Sequence, residues 1–194
     1  MDVDVIGVQE FSSIAAGYLA LDAIVKAAPV SILASRIVTP GKLVVLFTGD
    51  VASVDASLTA GRGSAADSLL DELFIPNLDR KVIPAIRGPV NVAEWDALGI
   101  IESYSVTAGI EAADLAAKEA EIEIPEIRLA GGMGGKSTIK IMGRIEDVEA
   151  SLAAGAGCVE GKGLLCRKVV IPRPHPDIRG HVLKAEREVD EIWR

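Results

Sequence analysis

The stretch AGGMGGKST, Ala130 to Thr138, sets a glycine-rich run directly before Gly135, Lys136 and Ser137. With Ala130 in first place it matches the spacing of a phosphate-binding loop, where backbone amides cradle phosphates and the lysine reaches their far end. That chemistry needs a helix immediately after the loop, because the helix N-terminus supplies aligned amides and a favourable dipole. Here Ser137-Thr138-Ile139-Lys140-Ile141-Met142 alternates polar and apolar residues, which is a strand signal. The loop is therefore read as joining two strands, and no acidic residue at a strand end stands out to hold a nucleotide's metal.

Other reactive residues are few. Glu10 and Glu102 occupy matching places in the chain and could act as paired carboxylates. The simpler reading is that each closes a strand-to-helix corner by accepting backbone hydrogen bonds. Cys158 and Cys166 fit no zinc or iron–sulfur spacing and make no disulfide framework, so they read as small core residues in a reducing cytosol. His175 and His181 have no carboxylate or cysteine at ligand spacing. No Ser-His-Asp or Cys-His set emerges. The chain is expected to be neither an enzyme nor a metal binder.

Charge narrows the partners. The 194 residues carry a formal net charge of −8 with no basic stripe, which argues against a nucleic-acid backbone as ligand. Mean hydropathy is +0.35. Even so, the longest apolar candidate, Ile14 to Leu33, is broken by Asp22, Lys26 and Pro29, short of the roughly 18 residues a membrane helix needs. The acidic start (Asp2, Asp4) is not that of a signal peptide.

These residues are positioned by a repeat. Gly7 to Arg36 aligns with Gly99 to Arg128 at about eleven identical positions in thirty, among them Gly17/Gly109, Asp22/Asp114, Lys26/Lys118 and Arg36/Arg128. After a shift of two, GDVASVDASLTAG from Gly49 matches GRIEDVEASLAAG from Gly143, and Ile75-Pro76 matches Ile171-Pro172. Two domains of about 90 residues follow, at 1–79 and 95–178. Between them residues 80–94, with Pro84, Gly88 and Pro89, read as a linker, and 179–194 is a C-terminal extension.

In the first copy residues 3–10 read as a strand, and 13–28 as a helix with Ile14, Tyr18, Leu21 and Val25 at helical spacing behind Ser12/Ser13. Runs 31–38 and 43–48 flank the turn Thr39-Pro40-Gly41-Lys42. Asp50 caps a second helix with Val51, Val54 and Leu58 as its stripe and Gly61 as its end, and Leu69 to Ile75 is the last strand. The order β-α-β-β-α-β defines the split, ferredoxin-like α+β unit. In the extension, Val182, Ala185, Val189, Ile192 and Trp193 form a helical apolar stripe, suited to packing back on its own domain or to docking a partner.

Taken in order and duplicated, these motifs resemble bacterial microcompartment shell proteins in their tandem-domain form, from about Val5 to Ile178. The marks are Gly-x-x-Glu, DAIVK and DLAAK, the two Gly-led helices, and VIPRPHPDI from Val170. The domain order is unpermuted. SRIVTPGK, AGGMGGK and KGLLCRKVVIPRPH further resemble the propanediol-utilisation subtype that carries a central iron–sulfur cluster. That subtype has a cysteine just before Pro-Gly-Lys, where this chain has Thr39, so no cluster is expected; a hydroxyl is a poor iron ligand beside a thiolate.

The resemblance implies a homotrimer in which six domain copies imitate a hexagonal tile of a shell in the bacterial cytoplasm. Its edges would meet other shell proteins, and its inner face encapsulated enzymes. Loops 37–42 and 129–136 would meet at a central pore for metabolites, lined by Val38, Thr39, Pro40, Gly41, Gly131, Gly132, Met133 and Gly134. Arg36, Lys42, Arg128 and Lys136 would make its mouth favourable to anions. Lys26, Lys118 and Arg173 would be tile-edge contacts, with Asn77 standing for the arginine in the first copy. The alternative is a ligand-binding regulatory protein with paired ferredoxin-like domains.

Overall fold

The computed structural model describes residues 3–93 and 95–183. It divides into two compact units, one made of Met1–Leu78 with the loop tip Gly132–Gly135, the other of Asp79–Gly131 and Lys136–Arg194. The first unit contains β1 (Ile6–Phe11), α1 (Ile14–Ala27), β2 (Ser31–Val38), β3 (Lys42–Thr48), α2 (Val51–Ser64) and β4 (Leu69–Ile75). Its antiparallel sheet runs β2-β3-β1-β4. The second unit begins with α3 (Val82–Arg87) and repeats the series as β5 (Ala97–Ser103), α4 (Val106–Glu119), β6 (Glu123–Leu129), β7 (Ser137–Gly143), α5 (Ile145–Gly161) and β8 (Leu165–Pro172). Its sheet order is β6-β7-β5-β8, also antiparallel. A short helix α6 (Arg179–Val182) follows. This is the β-α-β-β-α-β unit twice, as the repeat indicated. Among the described residues no helix is long and apolar enough to cross a membrane.

Each helix pair packs on one sheet face through small residues. In the first unit Phe11, Leu43, Val45 and Phe47 from the sheet meet Ala20, Ile24, Val54 and Leu58 from the helices. The buried positions of α1 are Gly17, Ala20 and Ile24, not the expected stripe, since Tyr18 and Val25 are 49% and 46% exposed. Space decides this: a Cβ on Gly17 would come within 2.7 Å of Leu43, so only a bare backbone lets the helix approach so closely. In α2, Val54 and Leu58 are buried as expected, but Val51 is half exposed. The helix also runs past Gly61 to Ser64, because Gly61 is a packing site against Ile24 rather than a stop.

Caps follow side-chain chemistry. Ser13, Asp50 and Ser105 accept hydrogen bonds from the amides of Ala16, Ser53 and Ala108, which satisfies first-turn donors of α1, α2 and α4. The hydrogen bonds from Ser53 hold the Asp50 carboxyl below the usual aspartate value.

The segment read as a linker contains α3, whose Val82, Ile83, Ala85 and Ile86 are buried. Pro84 sits in its first turn, where a missing amide proton costs nothing. On the second sheet, Val92, Leu98 and Met142 form a cluster packed by Trp95, Ile100, Ile171, Val182 and Leu183. The start of the C-terminal extension thus does fold back on its own domain. The rest of its stripe, Ala185, Val189, Ile192 and Trp193, lies outside the described residues.

Two glycines of α5 test this packing. A Cβ at Gly155 would fall 2.6 Å from the Ala112 carbonyl oxygen of α4, whereas one at Gly157 meets nothing within 4 Å. Gly155→Ala should cost about 1–3 kcal/mol by forcing the helices apart. Gly157→Ala should stabilise by about 1 kcal/mol through helix propensity. Urea denaturation of the two variants against the parent checks both signs.

Candidate functional site

Residues 130–136, between β6 and β7, form a loop with four left-handed residues, Ala130 (φ 59°), Gly132 (67°), Gly134 (63°) and Gly135 (85°). Glycine takes this conformation without strain and alanine does not, so the run is a device for folding backbone tightly. It is closed by the Ala130 amide donating to the Lys136 carbonyl at 2.8 Å. Strand β7 follows at Ser137, with no helix behind the loop, and the phosphate-site geometry is absent. The equivalent turn in the first unit is shorter, with a cis Thr39–Pro40 bond and Gly41 at φ 97°. Thr39, Pro40 and Gly41 are exposed and Val38 is buried. In the long loop Gly132 and Gly134 are exposed, Met133 is half-buried and Gly131 is buried. Gly135 groups with the first unit, where a Cβ on it would fall 2.6 Å from the Thr39 carbonyl oxygen.

The lysine that begins β3 and the one just before β7 have the same kind of partner in both copies. Lys42 Nζ donates to Glu10 Oε1 at 2.5 Å, and Lys136 Nζ to Glu102 Oε1 at 3.4 Å. Glu10 and Glu102 are therefore lysine partners in a sheet, a pairing that goes beyond the backbone-accepting role expected of them. The signal was present in the repeat, since both residue types recur together, 32 and 34 positions apart.

The two pairs differ in depth. Lys42 and Glu10 are 18% and 1% exposed, Lys136 and Glu102 35% and 33%. The Glu102 hydrogen bond is the chief reason the Lys136 ammonium titrates above the ordinary lysine value. Around it stand the Tyr104 ring, 5.9 Å away, and Cys166 Sγ at 3.8 Å. Cys166 also pushes the Tyr104 phenol up through a hydrogen bond. Both cysteines, expected in the core, are only half-buried. Cys166 lies on the edge strand β8, and Cys158 near the end of α5. Arg36 and Arg128 lie half-buried on β2 and β6.

Lys26 and Lys118 close α1 and α4, where a cation complements the helix C-terminus. Each bonds the aspartate one turn earlier, Asp22 or Asp114, at 2.6 Å. Asn77 and Arg173 are exposed just beyond β4 and β8. Arg173 adopts φ 46° and donates its amide to the Asp96 carbonyl at 2.7 Å, so its backbone is held in an unusual conformation. His175 caps the turn Pro176–Ile178, with Nδ1 accepting from the Asp177 amide at 3.3 Å.

Lys42→Ala should destabilise the protein by about 3 kcal/mol, because it removes the cation paired with the buried Glu10 carboxylate. Lys136→Ala should cost far less, its partner being open to water. Equal losses in chemical denaturation would contradict the difference in depth.

The BMC domain family model matches residues 5–78 and 97–174, one match per sheet-and-helix unit. The chain is 39% identical over 170 residues to bacterial microcompartment shell protein PduT of Citrobacter freundii, covering 88% of this chain and 92% of that one. Shell protein PduA of the same organism is 36% identical over 85 residues, 44% of this chain but 89% of the relative, so one repeat here spans nearly all of that protein. A solved microcompartment protein from Desulfitobacterium hafniense superposes with a TM-score of 0.81 at 44% identity, over 91% of this chain and 98% of that one. With two matched domains, each built on the same four strands and two helices, this chain belongs to the BMC-domain family as a tandem-domain bacterial microcompartment shell protein.

Proposed function

We propose that three copies of the chain close into a pseudohexagonal tile of a microcompartment shell in the bacterial cytoplasm, with a central pore that passes metabolites. The reading rests on one contrast between the copies. Ala15, Tyr18 and Val25 of α1 are exposed, whereas their repeat equivalents on α4, Thr107, Ile110 and Ala117, are buried. Asp22 and Asp114 follow suit, with side chains 56% and 5% exposed. One sequence pattern gives a covered face in one copy and an open apolar face in the other. A closed ring of identical chains gives every such face a neighbour.

In that ring the turn at 37–42 and the loop at 129–136 line the pore, with the Thr39 hydroxyls at one level and Gly131, Gly132, Met133 and Gly134 at another. Lys42 and Lys136 already face carboxylates, so the mouth is read as only weakly anion-selective. Lys26, Lys118, Asn77 and Arg173 are assigned to the tile edge, against other shell proteins. The role is structural rather than catalytic, and encapsulated enzymes are the partners on the inner side.

Sedimentation should give three times the 20.3 kDa chain mass. Tyr18→Lys with Val25→Glu should leave a monomer of unchanged circular dichroism. Lys26→Ala with Lys118→Ala should keep the trimer but abolish sheets in electron micrographs. A monomeric parent chain, or sheets that survive the lysine changes, would refute the corresponding assignment.

The residues do not fit the iron–sulfur cluster of the related subtype. Thr39 offers a hydroxyl where that subtype has a thiolate, and a hydroxyl is a poor iron ligand. Anaerobic reconstitution with iron and sulfide should give no visible charge-transfer band in the parent protein, while Thr39→Cys should produce one.

A further inference from the structure

Helix α4 makes a bond near its C-terminus that has no counterpart on α1. Asp114 takes Lys118 Nζ on Oδ2 at 2.6 Å, and its Oδ1 accepts from the backbone amide of Asp79 at 2.8 Å. Asp79 stands in the turn that follows β4. The repeat equivalent of Asp114 is Asp22. It takes Lys26 on Oδ2 at 2.6 Å, and among the described residues no donor reaches its Oδ1.

The repeat also names the missing donor. Aligned on Ile75-Pro76 and Ile171-Pro172, Asp79 corresponds to His175, in the turn that follows β8. The ring of His175 is engaged by the Asp177 amide, but its own backbone amide has no acceptor among the described residues. Asp79 and Asp114 are bonded to each other, whereas their counterparts each leave the same atom unused.

Burial divides along the same line. Leu73 of β4 and Ile124 and Leu129 of β6 are buried, while their counterparts Val169 of β8 and Ile32 and Ile37 of β2 are exposed. The elements covered in the chain are β4, α4 and β6, and the open ones are β8, α1 and β2. Each unit therefore contributes to the open set, one with the helix side and the other with the β8 side. Two unlike surfaces of this kind on one chain suit a head-to-tail contact between identical copies.

We propose that the turn after β8 of one copy docks on α1 of the next, its His175 amide donating to Asp22 Oδ1 as the Asp79 amide does to Asp114. The inference rests on the ring of identical chains proposed above and names the two surfaces that close it. Because the donor belongs to the backbone, the contact depends on the shape of the turn rather than on the imidazole. The carboxylate acceptor makes it a charge-assisted bond.

The test uses the full chain with Cys158 and Cys166 replaced by serine and with Asp22→Cys and His175→Cys added. A bond from an amide to a carboxylate brings the two Cα atoms close to the roughly 4.4–6.8 Å that a disulfide spans. Air oxidation should give a covalent trimer on a non-reducing gel, and either new cysteine alone should leave single chains. A trimer in sedimentation that forms no interchain disulfide, or a disulfide within one chain, would overturn this contact and leave the tile reading standing. A ladder beyond the trimer would support the contact and overturn the closed ring, and a monomeric parent chain would overturn both. Without any cysteine change, the His175 amide of the parent should exchange slower by about ten-fold or more than in the Tyr18→Lys, Val25→Glu variant. Equal rates would overturn the contact even where the double-cysteine chain fails to fold.

Discussion

The closeness of helix to sheet governs this protein. At Gly17, Gly61, Gly109 and Gly155 a Cβ would fall within 3 Å of a neighbouring residue, so each helix pair is lowered onto its sheet at points that no larger residue can occupy. Dispersion falls off steeply with separation, so close contact between small residues compensates for the scarcity of large ones. A chain with only 4% aromatic residues can therefore build two full cores. The same descent turns the larger apolar residues of α1 outward, and its outer face owes its character to this packing.

Stacking two helices on one side of each sheet also leaves the other side to be managed. In the second unit the work falls to segments outside the repeat, with Val92 and Trp95 arriving from before β5 and Val182 and Leu183 from after β8. Buried carboxylates are matched there by cations, Glu126 by Lys140 and Asp114 by Lys118. Sequences flanking a repeat thus serve as structural parts of it, and the division into domain, linker and tail is looser in space than along the chain.

Much of the architecture was legible in the residues. The duplicated motifs and the period-two run after Lys136 gave the element order and showed that a glycine loop joins two strands. Helix faces were not legible, because α1 is nearly all apolar and its buried side is marked by the smallest residues, Gly17 and Ala20, rather than by Tyr18 or Val25. Helix α3 was concealed by Pro84, Gly88 and Pro89, which signal a break although the first turn of a helix tolerates proline. The lysine–glutamate pairs were missed for another reason. Their partners are far apart in sequence, and only strand register brings β1 beside β3 and β5 beside β7.

The two strand-joining loops are unequal in length although the strands they join are equivalent, and both belong to one polypeptide. In an assembly of identical single-domain subunits, any change to such a loop is stamped on every position around the axis at once. Duplication within one chain removes that linkage. One loop can stay short and proline-braced while the other accumulates glycines, so inheritance can vary either loop without altering its counterpart or the sheets that hold them.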